Sequence, residues 1–231
     1  TIEFLVDKHR NFYFLEMNTR LQVEHPITEE VVGVDLVKEQ IRVANNEPLH
    51  FKQEDLKQRG HAIECRICAE DTDNNFMPSP GILRQLMEPN GIGVRIDSAV
   101  YEGYEIPIYY DPMIGKLIVW ATTRQFAIER MRRVLYEYKI TGLKTNISYL
   151  RHIMHVPDFV EGHYNTLFIP KHQDMLKEWA GKKEEETENI AMIAAYIDYL
   201  MNLEENKSAS SDNRPISRWR EFGLQKGVLR I

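Results

Sequence analysis

The chain has 231 residues, 43% of them hydrophobic and 28% charged, and a formal net charge of −6 at pH 7. That length supports one or two domains with a full core. The acidic balance argues against a nucleic-acid backbone as partner, because such domains carry a basic excess, although it does not exclude small anions. No stretch approaches ~18 consecutive apolar residues, so no membrane span is predicted. No basic region followed by an apolar run marks a signal peptide. The chain opens in a strand-like segment without an initiator Met, so an excised piece is expected.

Residues 1–18 read as a β-hairpin: Ile2–Val6 and Phe12–Met17 are rich in β-branched and aromatic residues, with a polar stretch between them. With His9 and Arg10 at the tip, Glu3 faces Glu16 across the ladder. Like charges so placed repel, and a divalent cation between them would relieve that repulsion. From Leu15 to Glu24 polar and apolar residues alternate. In an extended chain this sends Leu15, Met17, Leu21 and Val23 into a core and lines an open face with Glu16, Asn18, Arg20, Gln22 and Glu24. Pro26 is expected to end that strand, with a short helix over residues 27–32. Asp35 caps a second helix reaching about Asn45, and residues 46–60 form a connector.

From His61 the pattern turns to short strands, at residues 61–69, 82–87, 94–97 and 115–121, with a turn-rich loop over 74–81. Cys65 and Cys68 lack the second half of a zinc site and read as buried or half-buried thiols in a strand, which fits a reducing compartment. Thr122-Thr-Arg-Gln125 has the form of a capping box. It opens a helix with Ala127, Met131, Val134, Leu135 and Tyr138 on one face, and another helix covers residues 146–154. Strands followed by helices make an α+β order. In the tail, residues 182–186 are a charge run. Ile190, Ile193, Ala194, Ile197, Leu200 and Met201 form an apolar helical stripe. Residues 206–213 read as a flexible linker, and order signals resume over 216–231.

On residue types alone, Glu3, Glu16 and Asn18 suit Mg²⁺ or Mn²⁺, which take hard oxygen ligands. Arg20, two residues on, suits a small anion, and Glu24 suits a general base beside it. A polar strand face with structural ion pairs remains the competing reading.

The motif Glu16-Met-Asn-Thr-Arg-Leu-Gln-Val-Glu-His-Pro26 resembles the biotin carboxylase component of biotin-dependent carboxylases. So do Arg59-Gly-His-Ala-Ile-Glu-Cys-Arg-Ile-Cys-Ala-Glu-Asp71, Phe76-Met-Pro-Ser-Pro-Gly81, Tyr109-Tyr-Asp-Pro-Met-Ile-Gly-Lys-Leu117 and Gly142-Leu-Lys-Thr-Asn146, in the family's order. The resemblance implies the last portion of an ATP-grasp fold over 1–60, a biotin carboxylase C-terminal domain over 61–170, and a helical tail and linker toward a biotinyl domain over 171–231. It implies an ATP-dependent ligase in which ATP and bicarbonate give carboxyphosphate and biotin on a carrier domain is carboxylated. Glu3, Glu16 and Asn18 would then bind the divalent metals on the ATP phosphates. Arg20, Gln22 and Val23 would hold bicarbonate, Val23 through its backbone, and Glu24 would deprotonate it. Arg66 would stabilise charge on the biotin ureido oxygen. Leu5, Leu15 and Leu167 would pack near the adenine, and Arg95 matches a segment at the family's dimer interface.

The family's amino-terminal domain, glycine-rich lid and phosphate-binding lysines precede the equivalent of Thr1, so the chain alone is expected to be inactive. The segment over residues 217–227 is similar to the connector of acyl-CoA carboxylase subunits. It favours an acetyl- or propionyl-CoA carboxylase, with a carboxyltransferase subunit as partner, over pyruvate carboxylase. A homodimer in the intact enzyme and a cytoplasmic or mitochondrial-matrix location follow from the same resemblance. Another ATP-grasp ligase and a non-catalytic assembly module are the alternatives.

Overall fold

The computed structural model describes residues 1–176, 179 and 192–200. Thr1–Glu178 forms one compact unit and Trp179–Ile231 a second. The first is α+β and opens with an antiparallel hairpin, β1 (Ile2–Val6) against β2 (Phe12–Met17). The Asp7 carboxylate closes the turn, accepting from the backbone N–H groups of His9 and Asn11 at 2.8 and 2.9 Å. Arg10 there takes a φ of 65°, in the left-handed region that tight turns use.

Glu3 pairs with Glu16, as the loop-tip reading requires, but the next pair is Phe4 with Phe14. Leu15 is therefore the extra residue of a β-bulge, and a bulge breaks strict alternation. Leu5 pairs with Tyr13 and, two residues from Glu3, shares its face. The expected burial of the odd-numbered set is thus corrected. Leu15 and Met17 are 51% and 59% exposed, and every residue of β2 is exposed. The extended segment also stops at Met17, so period-two alternation does not carry through to Glu24.

Helix α1 (His25–Val32) begins before the expected residue 27, with Pro26 in its first turn. There a missing N–H costs nothing. It ends at Gly33 with φ 79°. Helix α2 (Leu36–Ala44) is capped by Asp35, whose carboxylate accepts from the Lys38 N–H at 2.8 Å.

The remaining strands are β3 (His61–Cys68), β4 (Glu70–Asp71), β5 (Met77–Pro78), β6 (Gly81–Ile82), β7 (Gln85–Met87), β8 (Val94–Ser98), β9 (Glu105–Ile106), β10 (Met113–Ala121) and β11 (Lys139–Thr141). The helices are α3 (Arg124–Glu137), α4 (Ile147–Ile153) and α5 (Pro157–Glu161), and residues 168–176 are also helical. The single strand expected over 82–87 is two short ones, because Leu83 between them is fully buried and its N–H turns to the Tyr104 carbonyl. The expected capping box is also corrected. Thr123, not Thr122, caps α3 by accepting from the Phe126 N–H, and Gln125 donates instead to Glu129.

Strand β10 lies between β3 and β8, antiparallel to both. On one face Cys65, Ile67, Leu117 and Val119 meet Met131, Val134 and Leu135 of α3 in the core. Each such side chain contributes ~1.5–3 kcal/mol by leaving water. The opposite face carries Glu64 and Arg66 from β3, Lys116 and Ile118 from β10, and Arg95 and Asp97 from β8, by register and period two. Helix α1 lies on this second face. Cys65 is buried and Cys68 half-buried, both are free thiols, and burial pushes each up to about 12. Neither forms a reactive thiolate near neutrality.

In the second unit, residues 192–200 are helical, with Ile193, Ile197 and Leu200 exposed. Ile190, Met201, the charge run at 182–186, the linker at 206–213 and the segment 216–231 lie outside the described residues. Among the described residues no helix is long and apolar enough to cross a membrane.

Candidate functional site

The site has two ends. At the hairpin, Glu3 and Glu16 stand directly opposite each other, and Asn18 sits where the chain leaves β2. The Asn18 amide donates to Glu3 Oε1 at 2.9 Å and to Glu16 Oε1 at 3.2 Å, so the three predicted metal ligands do converge. The amide N–H groups here hold apart two carboxylates that would otherwise repel. Among the described residues no group of three or more His, Cys, Asp or Glu side chains is placed to hold a metal. The hairpin site offers two carboxylates and an amide. Leu5 and Leu15 are on this hairpin, 59% and 51% exposed, and Leu167 is 64% exposed near the helix at 168–176.

The second end is the segment from Arg20 into α1. Glu24 is the N-cap residue of α1, yet its side chain makes no capping bond. It reaches 42 residues along the chain to Arg66 of β3, where Nη2 donates to Oε2 at 2.8 Å. Both side chains are about half exposed, at 50% and 52%. Such a pair contributes little to stability, ~0–1 kcal/mol, and can open to a ligand. Among the described residues Arg20 is in no ion pair. One of its guanidinium nitrogens donates to the Leu21 carbonyl at 3.3 Å. The Val23 N–H donates to no described acceptor, while the Gln22 carbonyl accepts from the His25 ring at 2.7 Å. Among the described residues the arrangement therefore offers a guanidinium outside any ion pair, an N–H without an acceptor and a half-exposed carboxylate within five consecutive residues.

Around this end, β8 and β10 supply a charged support that sequence reasoning missed. Lys116 is 9% exposed, its Nζ 3.1 Å from Asp97 Oδ2 and donating to the Val23 carbonyl at 3.1 Å. Arg95 holds Asp97 with two bonds, at 2.7 and 3.0 Å, and reaches Glu29 of α1 at 2.7 Å. Burial pushes the Asp97 carboxyl up, but the bonds from Arg95 and Lys116 outweigh it and hold it below its ordinary range. The bonds that Arg95 donates to Asp97 and Glu29 keep it above its ordinary value against the opposing effect of burial. Glu64 has a side chain 7% exposed, and its Oε2 has no hydrogen-bond partner among the described residues. Burial raises its carboxyl above the usual range despite Lys116 and Arg66 nearby. The one signal in the sequence was a lysine inside the apolar run Ile114-Gly-Lys-Leu-Ile-Val119, since an unpaired lysine is almost never buried.

Comparison with known proteins matches two stretches of the chain to two family domains. Residues 64–171 match the biotin carboxylase C-terminal domain, and residues 1–52 match the ATP binding domain of the carbamoyl-phosphate synthase L chain. A biotin carboxylase of Nostoc sp. is 56% identical over 169 residues, covering 73% of this chain and 38% of that protein. The mitochondrial methylcrotonoyl-CoA carboxylase subunit alpha of Mus musculus is 48% identical over 178 residues, covering 76% of this chain and 25% of that protein. The crystal structure of the biotin carboxylase domain dimer of Hydrogenobacter thermophilus 2-oxoglutarate carboxylase, in complex with MgADP, ADP and bicarbonate, has 47% sequence identity and a TM-score of 0.73. It covers 76% of this chain and 39% of that one. The chain thus spans about two-fifths or less of the length of these relatives. Residues 1–171 place the chain in the biotin carboxylase family, with the family's C-terminal domain following the end of an ATP-grasp-type ATP-binding domain.

Proposed function

We propose that this chain supplies the bicarbonate- and biotin-facing wall of a biotin carboxylase, which carboxylates carrier-bound biotin at the expense of ATP. The observation that carries the reading is the Glu24–Arg66 pair at 2.8 Å. It joins a candidate base in front of α1 to a candidate charge stabiliser on β3, 42 residues along the chain. Arg20 binds the bicarbonate anion through its guanidinium, with Gln22 and the Val23 N–H beside it. Glu24 takes the bicarbonate proton once substrate displaces Arg66, and the freed Arg66 is then available to negative charge developing on the biotin ureido oxygen.

Glu3, Glu16 and Asn18 fit a divalent cation by donor chemistry, with two opposed carboxylates whose repulsion it would relieve. Mg²⁺ or Mn²⁺ bound there would neutralise ATP phosphates. Leu5, Leu15 and Leu167 would pack on the adenine. The biotinyl carrier domain, a carboxyltransferase subunit and a second copy of the enzyme are the partners this reading requires. The connector-like segment at 217–227 supports an acyl-CoA as final acceptor, in a cytoplasmic or mitochondrial-matrix enzyme.

The test joins residues 1–176 to the preceding part of the Hydrogenobacter thermophilus biotin carboxylase domain, in place of the matching segment. The chimera is expected to cleave ATP only with bicarbonate and free biotin present, whereas this chain alone should not. Arg66→Ala and Glu24→Gln should each lower that rate by ~10²–10³-fold. A folded chimera without bicarbonate-dependent cleavage, or one indifferent to both substitutions, overturns the reading.

A further inference from the structure

Lys116 is buried in the strand at the centre of the sheet, yet its ammonium serves a segment 93 residues away in sequence. It touches two acceptors of different kinds, the Asp97 carboxylate and the Val23 carbonyl, each at 3.1 Å. Asp97 cannot follow the lysine, because both of its oxygens are also held by Arg95. Arg95 is in turn tied to α1 through Glu29. The ammonium therefore has a fixed anchor on one side and a single backbone carbonyl on the other.

The peptide unit that begins with that carbonyl is planar and ends at the Glu24 N–H. Fixing the carbonyl fixes the plane, and with it the direction in which Val23 and Glu24 leave the turn before α1. Glu24 needs that help. As N-cap residue it spends no side-chain bond on its own helix; its carbonyl accepts from the Ile27 N–H at 3.1 Å, but its carboxylate is held by a half-exposed ion pair.

We infer that Lys116 is a positioning residue for the anion-binding segment, orienting the Val23–Glu24 peptide so that bicarbonate meets the Val23 N–H and the Glu24 carboxylate together. The inference rests on the bicarbonate reading above and adds to it a residue that touches neither substrate nor metal.

The experiment uses the full chain, ¹⁵N-labelled, titrated with ¹³C-bicarbonate and followed by NMR. In the wild type, bicarbonate should shift the Val23 and Glu24 amide signals. In Lys116→Met, which keeps the apolar stem, those shifts should vanish and bicarbonate affinity should fall at least ~10-fold, the loss expected when a hydrogen bond from a charged group is removed. The methyl signals of Leu117 and Val119 report an intact core. Lys116→Arg, which keeps a cationic donor, should recover part of the affinity. Wild-type affinity in a folded Lys116→Met overturns the inference and leaves the bicarbonate reading standing. A wild type that binds no bicarbonate overturns that reading itself and removes the inference with it. If Lys116→Met does not fold, the ¹⁵N ammonium signal of Lys116 in the wild type decides. A shift on adding bicarbonate supports the inference, and an unmoved signal overturns it.

Discussion

Glu3 and Glu16 stand on a two-stranded ribbon whose β2 residues are all exposed, whereas Arg66 projects from a sheet whose central strand is buried from residue 114 to 119. The hairpin offers its ligands with little behind them, and an isolated two-stranded hairpin is marginal in water. The anion end rests on α3 and the core below and on α1 and the charged network above. Pre-organisation of a site comes from what packs behind it, so within this chain the anion end is the better organised of the two. The exposed Phe4, Phe12 and Phe14, which meet edge to face at 5.5 and 6.4 Å, give the hairpin its internal order.

The largest test of that contrast is Leu117→Ala set against Phe14→Ala. Leu117 is 0% exposed and Phe14 66%. The first should cost about 2–5 kcal/mol in chemical denaturation, and the second less than about 1 kcal/mol. Equal costs would mean that the hairpin is packed as firmly as the sheet, and the contrast would fail.

Next is Asp97→Asn, which weakens the anchor of Lys116 and Arg95 together. Hydrogen bonds to charged groups contribute about 1–3 kcal/mol, and a loss of that order is expected at pH 7. Because the folded-state carboxyl is held below its ordinary range, its contribution is present above the unfolded value of about 3.9. It is lost as pH falls through the folded value. The difference between wild type and variant, read as denaturation midpoints, should therefore shrink below about pH 4. A pH-independent difference would show that Asp97 acts by shape alone.

The sequence carried much of this. The hairpin with its tip at His9 and Arg10 and the facing of Glu3 and Glu16 were legible because hairpin loops set register. The Asp35 cap was legible because N-caps are local. Strand β10 was legible as an apolar run. The bulge at Leu15 was not, because no residue type announces it, and one inserted residue undoes parity for everything downstream. The start of α1 was misjudged because Pro26 can end a strand or open a helix equally well, and the choice depends on packing against β3. At the site, the five-residue stretch from Arg20 to Glu24 was readable as chemistry. The contacts from Lys116 and Arg66 to that stretch span 93 and 42 residues. Local pattern has no access to such separations.

Glu64 gives the smallest effect and the opposite sign to Asp97. Its side chain lies on the same sheet face, beside Arg66 on β3 and opposite Ile118. Arg66 Nε is 3.8 Å from Oε1, beyond good hydrogen-bond range, and Oε2 has no hydrogen-bond partner among the described residues. Burial dominates over the attraction of Lys116 and Arg66, so the folded carboxyl is raised above its ordinary value. A raised carboxyl favours folding below the unfolded value of about 4.3, and that contribution is lost as pH rises through the folded value. Ionising Glu64 as pH rises is thus a liability, the reverse of Asp97. Glu64→Gln keeps the volume and removes the charge, so at pH 7 it should leave stability unchanged or raise it by up to about 1 kcal/mol. The gain should disappear near pH 4. Urea denaturation of both chains from pH 4 to pH 8 measures it. If Glu64→Gln lowers stability at pH 7, Glu64 is a working counter-ion of Lys116 and Arg66. The charged support would then run unbroken from Arg95 to Glu24 through β3, instead of resting on Asp97 and the Val23 carbonyl.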